Sequence, residues 1–161
     1  MSKKYEFVAG DEKVVNGVTL KRIRSLVFIP ATMFIQEVNI GDIGGYIEHE
    51  SNLDNSVTSR AWVYSDACVY GNACVYGNAC VYGNARVYND GLVFWVSKVG
   101  SENGTLTVFN TKSNDLLVTR GCFIGTPDEF LTASRKKHDA DTHEEYQLLI
   151  KVATSRINKA R

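Results

Sequence analysis

This sequence predicts a mainly β fold organised around a short parallel β-helix of hexapeptide repeats, and three observations predict it. Valine returns every six residues, at Val57, Val63, Val69, Val75, Val81, Val87, Val93 and Val99. A small residue stands two positions before each valine, at Asn55, Ala61, Ala67, Ala73, Ala79, Ala85, Gly91 and Ser97. The central units close on Gly-Asn, as in ACVYGN, and these residues accept the positive φ of a tight corner. A period of six does not fit a lone helix. It fits a coil in which each repeat supplies one short strand and one corner.

Strand side chains alternate between two faces. With Val69 inward, Ala67 also points inward, while Cys68 and Tyr70 point out. Three strands and three corners complete one triangular turn, so each strand lies over the one eighteen residues earlier. That step sorts the outward residues into three faces. The first carries Trp62, Tyr64, Cys80, Tyr82 and Lys98; the second carries Cys68, Tyr70, Arg86 and Tyr88. The third carries Cys74, Tyr76, Leu92 and Phe94, with Trp95 at the adjacent corner. Large exposed apolar patches mark interfaces. Tyr76, Leu92, Phe94 and Trp95 are therefore expected to be covered by the chain's own cap or by another subunit, as a homo-oligomer interface.

The chain divides into four segments. Residues 1–40 read as a β-hairpin cap turning at Asn16-Gly17, a strong hairpin signal between apolar runs. Residues 41–99 hold the parallel array. Residues 100–125 read as strands with turns at Asn103-Gly104 and Ser113–Asp115. Residues 126–161 read as two helices. Thr126 caps the first, Pro127 occupies its first position and Glu129 closes a capping box; the second starts at Asp141/Thr142. Tyr146, Leu149, Ile150, Ala153 and Ile157 form one apolar stripe at helical spacing.

With 161 residues, 18 basic and 18 acidic side chains and no net charge, the chain lacks the basic excess of an electrostatic nucleic-acid binder. No apolar stretch approaches a membrane span, and the leading residues lack a signal-peptide core, so a cytosolic location is expected. Cys68, Cys74 and Cys80 lie on three different faces. Their spacing of roughly 15–20 Å along an extended path puts them beyond a disulfide or a shared zinc ion. Cys122, in the apolar run GCFI, is expected to be a buried free thiol.

The lead-in LKRIRSL (20–26), the segment GDIGGYIEHESNL (41–53), the AxVYGN array, the closing GCFIGTPDEF (121–130), KKH (136–138) and Tyr146 together resemble a family of small phage and prophage proteins with a hexapeptide-type β-helix. The cysteines after Ala67, Ala73 and Ala79 depart from the Arg, Trp or Lys more usual in that slot. The resemblance implies a left-handed coil, a phage origin and a place in the host cytoplasm.

Three functions compete. Hexapeptide acyltransferases use a histidine base, and this array contains none; His49, His138 and His143 lie outside it, with His49 in the loop EHESN the best placed. A base must reach the reacting group, so no catalytic residue, cofactor or metal ligand is assigned. A structural phage component ranks above the enzyme. First stands a non-catalytic oligomeric binding protein, trimer or dimer, that clasps a host defence protein or sequesters a small nucleotide signal. Arg60, Arg86 and Arg120 are its candidate phosphate forks, and Tyr64, Tyr82 and Tyr88 its stacking platforms.

Overall fold

The computed structural model describes residues 3–31, 36–83 and 85–161. Asn84, the expected corner partner of Gly83, lies outside them. The chain opens with a hairpin of β1 (Tyr5–Val15) and β2 (Val18–Ser25). Its turn residues Asn16 and Gly17 both have positive φ, 50° and 81°, the combination that matches a two-residue turn to strand twist. β3 (Ile43–Ile47) follows. The array then supplies four strands of two residues each: β4 (Trp62–Val63), β5 (Cys68–Val69), β6 (Cys80–Val81) and β7 (Arg86–Val87). Longer strands return with β8 (Val93–Val99), β9 (Gly104–Asn110), β10 (Leu116–Arg120) and β11 (Phe123–Gly125), before the helices α1 (Pro127–Lys137) and α2 (Ala140–Ala160).

These elements form a five-stranded mixed sheet in the order β1-β2-β3-β5-β7, an antiparallel sheet β11-β10-β9-β8 and the separate pair β4-β6. The expected fold class, a mainly β chain built on a short left-handed parallel β-helix, is corrected by this topology. Among the described residues the long strands pair antiparallel, parallel pairing is confined to short stretches, and two α-helices follow the last strand. The Gly-Asn corners and preceding alanines leave only a pair such as Cys-Val extended in each repeat, too little for the array to set the architecture. The eighteen-residue step does occur locally, pairing Trp62 with Cys80 and Cys68 with Arg86.

The inward column is well packed. Val63, Val69, Val75, Val81 and Val87, with Ala61, Ala67, Ala73, Ala79 and Ala85, are fully buried. Asn52 lies beneath the column, also buried, and its Nδ2 donates to the carbonyls of Gly71 (3.0 Å) and Ala73 (2.8 Å). Val57 departs from the pattern at 45 % exposure. Residues 56–59 turn on themselves through the bond from the Ser59 N–H to the Ser56 carbonyl (3.0 Å).

Most outward residues are covered by the chain itself. The hairpin buries Cys68 and Tyr70 with Val15, Leu20 and Tyr46. Trp62 is buried edge-on against Tyr5, with ring centres 6.4 Å apart. Arg22 ties the hairpin to the array, with Nε to Asp11 (3.2 Å) and Nη1 to the carbonyls of Gly44 (3.1 Å) and Ser65 (2.8 Å). On the third face Leu92 is fully buried, and its turn packs against α2: Asn89 Nδ2 donates to the Ala160 carbonyl (3.2 Å). Phe94 and Trp95 are half-buried against the core, and Tyr76 remains 42 % exposed.

The first helix starts as expected, on the Thr126–Glu129 capping box. The second starts earlier than Asp141/Thr142, because Asp139 Oδ1 accepts the Thr142 N–H at 2.8 Å. Tyr146, Ile150, Ala153 and Ile157 bury its apolar stripe. Cys122 is exposed rather than buried, because it sits in the turn between β10 and β11. Among the described residues no helix is long and apolar enough to cross a membrane.

Lys4 is fully buried. Its ammonium donates to the Ala61 carbonyl (2.9 Å) and lies 3.4 Å from Ser59 Oγ. Burial lowers its pKa from 10.5 to about 8, against a smaller opposing pull from Asp54.

Two predictions follow from burial. Val69→Ala should cost about 2 kcal/mol by urea denaturation, whereas the exposed Val57→Ala should change stability by less than about 0.5 kcal/mol. Equal costs would show that the six-residue beat, rather than burial, sets each valine's contribution. The depressed Lys4 pKa means that the folded state holds fewer protons than the unfolded state between pH 8 and 10.5, so this residue's contribution to stability rises through that window. The stability of the wild type relative to Lys4→Met should therefore increase across it, by on the order of 3 kcal/mol. A difference independent of pH would refute the assignment.

Candidate functional site

The register of the antiparallel sheet sorts its side chains. Trp95, Thr107 and Thr119 stand side by side on one face, and Leu106 and Arg120 pair on the other. The threonine face closes over the array. Thr119 Oγ1 donates to the Cys80 carbonyl (3.1 Å), and the Cys80 N–H points to Thr107 Oγ1 (3.4 Å). The opposite face meets the helices, with the Arg120 guanidinium 5.9 Å from the centre of the Tyr146 ring.

Arg120 reaches past the end of its strand because Gly104 gives it room. Its Nη2 donates to the Val99 carbonyl (3.2 Å), and its guanidinium lies across Gly104, where a methyl group would collide with it. From there Arg120 borders two clefts. One, on the array side, has a volume of about 260 Å³; the other, on the helix side, about 210 Å³.

The array-side cleft is lined by Arg60 and Arg120, by Thr105, Thr107 and Thr119, by the amides of Asn78 and Asn103, and by Tyr82 and Cys80. No carboxylate lines it among the described residues. Burial pushes the Cys80 thiol up to about 12 and the Tyr82 phenol up to about 12, so both stay neutral near pH 7. The cleft's formal charge therefore comes from its two guanidiniums. Tyr82 is held by parallel stacking on Tyr64, with ring centres 4.0 Å apart and planes 3° apart. Tyr64 is fixed in turn by donating to the Gln36 carbonyl at 3.1 Å, and its phenol pKa is raised chiefly by burial.

Of the six residues expected to bind a ligand, Arg60, Tyr82 and Arg120 line this cleft, with Tyr64 stacked behind Tyr82. Arg86 and Tyr88 lie in a separate depression with Tyr70. Sequence reasoning missed Thr105, Thr107, Thr119, Asn78 and Asn103. The alternation of Thr105 and Thr107 in GTLTVFN was the available signal, since it puts both hydroxyls on one strand face.

The helix-side cleft combines Glu102, Cys122, Lys137 and His138 with the rings of Phe123, Phe130 and Tyr146. His138 Nδ1 lies 3.3 Å from Ser101 Oγ, and His143 Nδ1 lies 3.1 Å from Ser134 Oγ. His49 Nε2 lies 3.1 Å from Glu48. None of the three histidines lines the array-side cleft. No His, Cys, Asp and Glu cluster suited to a metal ion occurs among the described residues.

The chain matches no family model, no curated protein and no solved structure.

Thr119→Val removes the buried bond to the Cys80 carbonyl and should cost about 1 kcal/mol by urea denaturation. An unchanged midpoint would show that the sheet does not depend on this bond to stay docked on the array.

Proposed function

We propose that this is a non-catalytic, phage-encoded binding protein that takes a small anionic ligand in the cleft between Arg60 and Arg120, with a small nucleotide signal as its ligand class. The carrying observation is that two guanidiniums from distant parts of a chain of zero net charge line one cleft without an accompanying carboxylate. Arginine is suited to bidentate contact with phosphate. The threonine hydroxyls and asparagine amides offer both donors and acceptors for the remainder of a ligand. Placement of all three histidines away from the cleft lining supports binding without turnover, since a general base must reach the proton it removes. Sequestration of a host signal in the host cytoplasm, by a homo-oligomer acting against host defence, is the biological setting that the family resemblance suggests.

Isothermal titration with cyclic nucleotides and ADP-ribose tests this reading, with the ligand recovered by denaturation and weighed. One of them should bind and return with unchanged mass, and Arg60→Gln should weaken it about tenfold or more. Absence of binding at millimolar ligand, or a recovered product of altered mass, would overturn it.

A further inference from the structure

A second cationic depression lies on another side of the array. Its larger part, about 400 Å³, is lined by Tyr70, Tyr88, Arg86 and Lys112 together with the amides of Asn16 and Asn114. A neighbouring part of about 360 Å³ shares Arg86 and Lys112 and adds Lys13 and Asp66. Arg86 and Lys112 thus form a ridge between the two. The topology brings them together: an antiparallel bridge joins Ala85 to Thr111, the residues just before them. In the three preceding repeats the slot of Arg86 holds Cys68, Cys74 and Cys80, so the cation enters where the array meets β9.

Neither Arg86 nor Lys112 forms an ion pair among the described residues. The carboxylate of Asp66 is already engaged by Arg22 at 3.3 Å. Among the described residues lining the two parts, Asp66 is the one carboxylate beside Arg86, Lys112 and Lys13.

The tyrosines beside the ridge differ from their counterparts on the neighbouring face. Tyr64 and Tyr82 are closed on each other, 4.0 Å apart and nearly coplanar. Tyr70 and Tyr88 occupy the corresponding positions but are splayed, with ring centres 5.9 Å apart and planes inclined at 42°. Asn16 Nδ2 donates to the Tyr70 hydroxyl (3.3 Å), which ties Tyr70 to the hairpin turn, and Tyr88 remains 37 % exposed. An exposed phenol ring beside two cations is the arrangement that accepts a planar base and its phosphates together.

We infer that this depression is a second ligand site, separate from the Arg60–Arg120 cleft, for a nucleoside polyphosphate. The base lies against Tyr88 with Asn16 and Asn114 at its edge, and the phosphates cross the Arg86–Lys112 ridge toward Lys13. The inference stands on its own residues and does not require the first cleft to bind anything.

Titration of the full chain with ATP and with inorganic triphosphate tests it. Each should bind the wild type, and binding at this depression should persist in Arg60→Gln. Arg86→Gln and Lys112→Gln should each weaken both probes about tenfold. Tyr88→Ala should weaken ATP about tenfold while sparing triphosphate. Lys112 is exposed, so its variant carries the test even if Arg86→Gln fails to fold. Absence of ATP binding at millimolar concentration, ATP binding lost in Arg60→Gln, or binding unchanged in Lys112→Gln would each overturn the assignment. Equal losses of both probes in Tyr88→Ala would overturn the stacking role of the ring.

Discussion

A strand of two residues makes too few ladder bonds to persist by itself, and this protein places four of them in its centre. Their persistence depends on the column of valines and alanines within and on whatever excludes water from without. The hairpin covers one side through Tyr70 and Cys68. The antiparallel sheet closes another through Thr107 and Thr119 on the Cys80 backbone. The second helix seals the turn at Leu92. Each cover is a regular element with a hydrogen-bonded ladder or a capped helix of its own. The array is thus a packed filling held by its surroundings, and its interior admits only small β-compatible side chains.

The clefts follow from this mode of assembly. Each lies along a seam where a cover meets the array or another cover, and at seams the backbone pairing is incomplete. Arg120 is a product of such a seam: its strand belongs to the sheet, and its buried guanidinium lies across Gly104, within reach of the Val99 carbonyl and the Tyr146 ring. On a chain of zero net charge, several acids are engaged outside the Arg60–Arg120 cleft. Asp11 and Asp66 go to Arg22, and Asp139 and Glu129 cap helices.

Local chemistry made several features readable in advance. Asn16-Gly17 marked a turn that needs positive φ twice, and Thr126-Pro127-Asp128-Glu129 carried a complete helix start. The alanine–valine alternation identified the buried column from Ala61 to Val87. What alternation cannot encode is which outward face becomes buried. Trp62, Cys68 and Tyr70 look like surface residues until Tyr5, Val15 and Leu20 arrive from about fifty residues away in sequence. The same limit applies to the site. Arginine and tyrosine could be named as candidates, but their division between two depressions depends on strand register and on the closed or splayed state of two tyrosine pairs. The threonines were overlooked because their function depends on the sheet face they share with Trp95. The parallel class was overestimated because the six-residue beat, though long in sequence, yields little extended backbone per repeat.

The contact between Asn89 and Ala160 spans 71 positions, and it has a temporal side. On the ribosome the hairpin, the array and the turn at Leu92 all emerge before the helix that seals that turn. Through much of synthesis the nascent chain therefore carries an apolar opening and incompletely paired strands, the features that make partly made proteins adhesive. Helices form faster than sheets once their residues are free. A closing element that is helical shortens the interval during which that opening is available to another nascent chain.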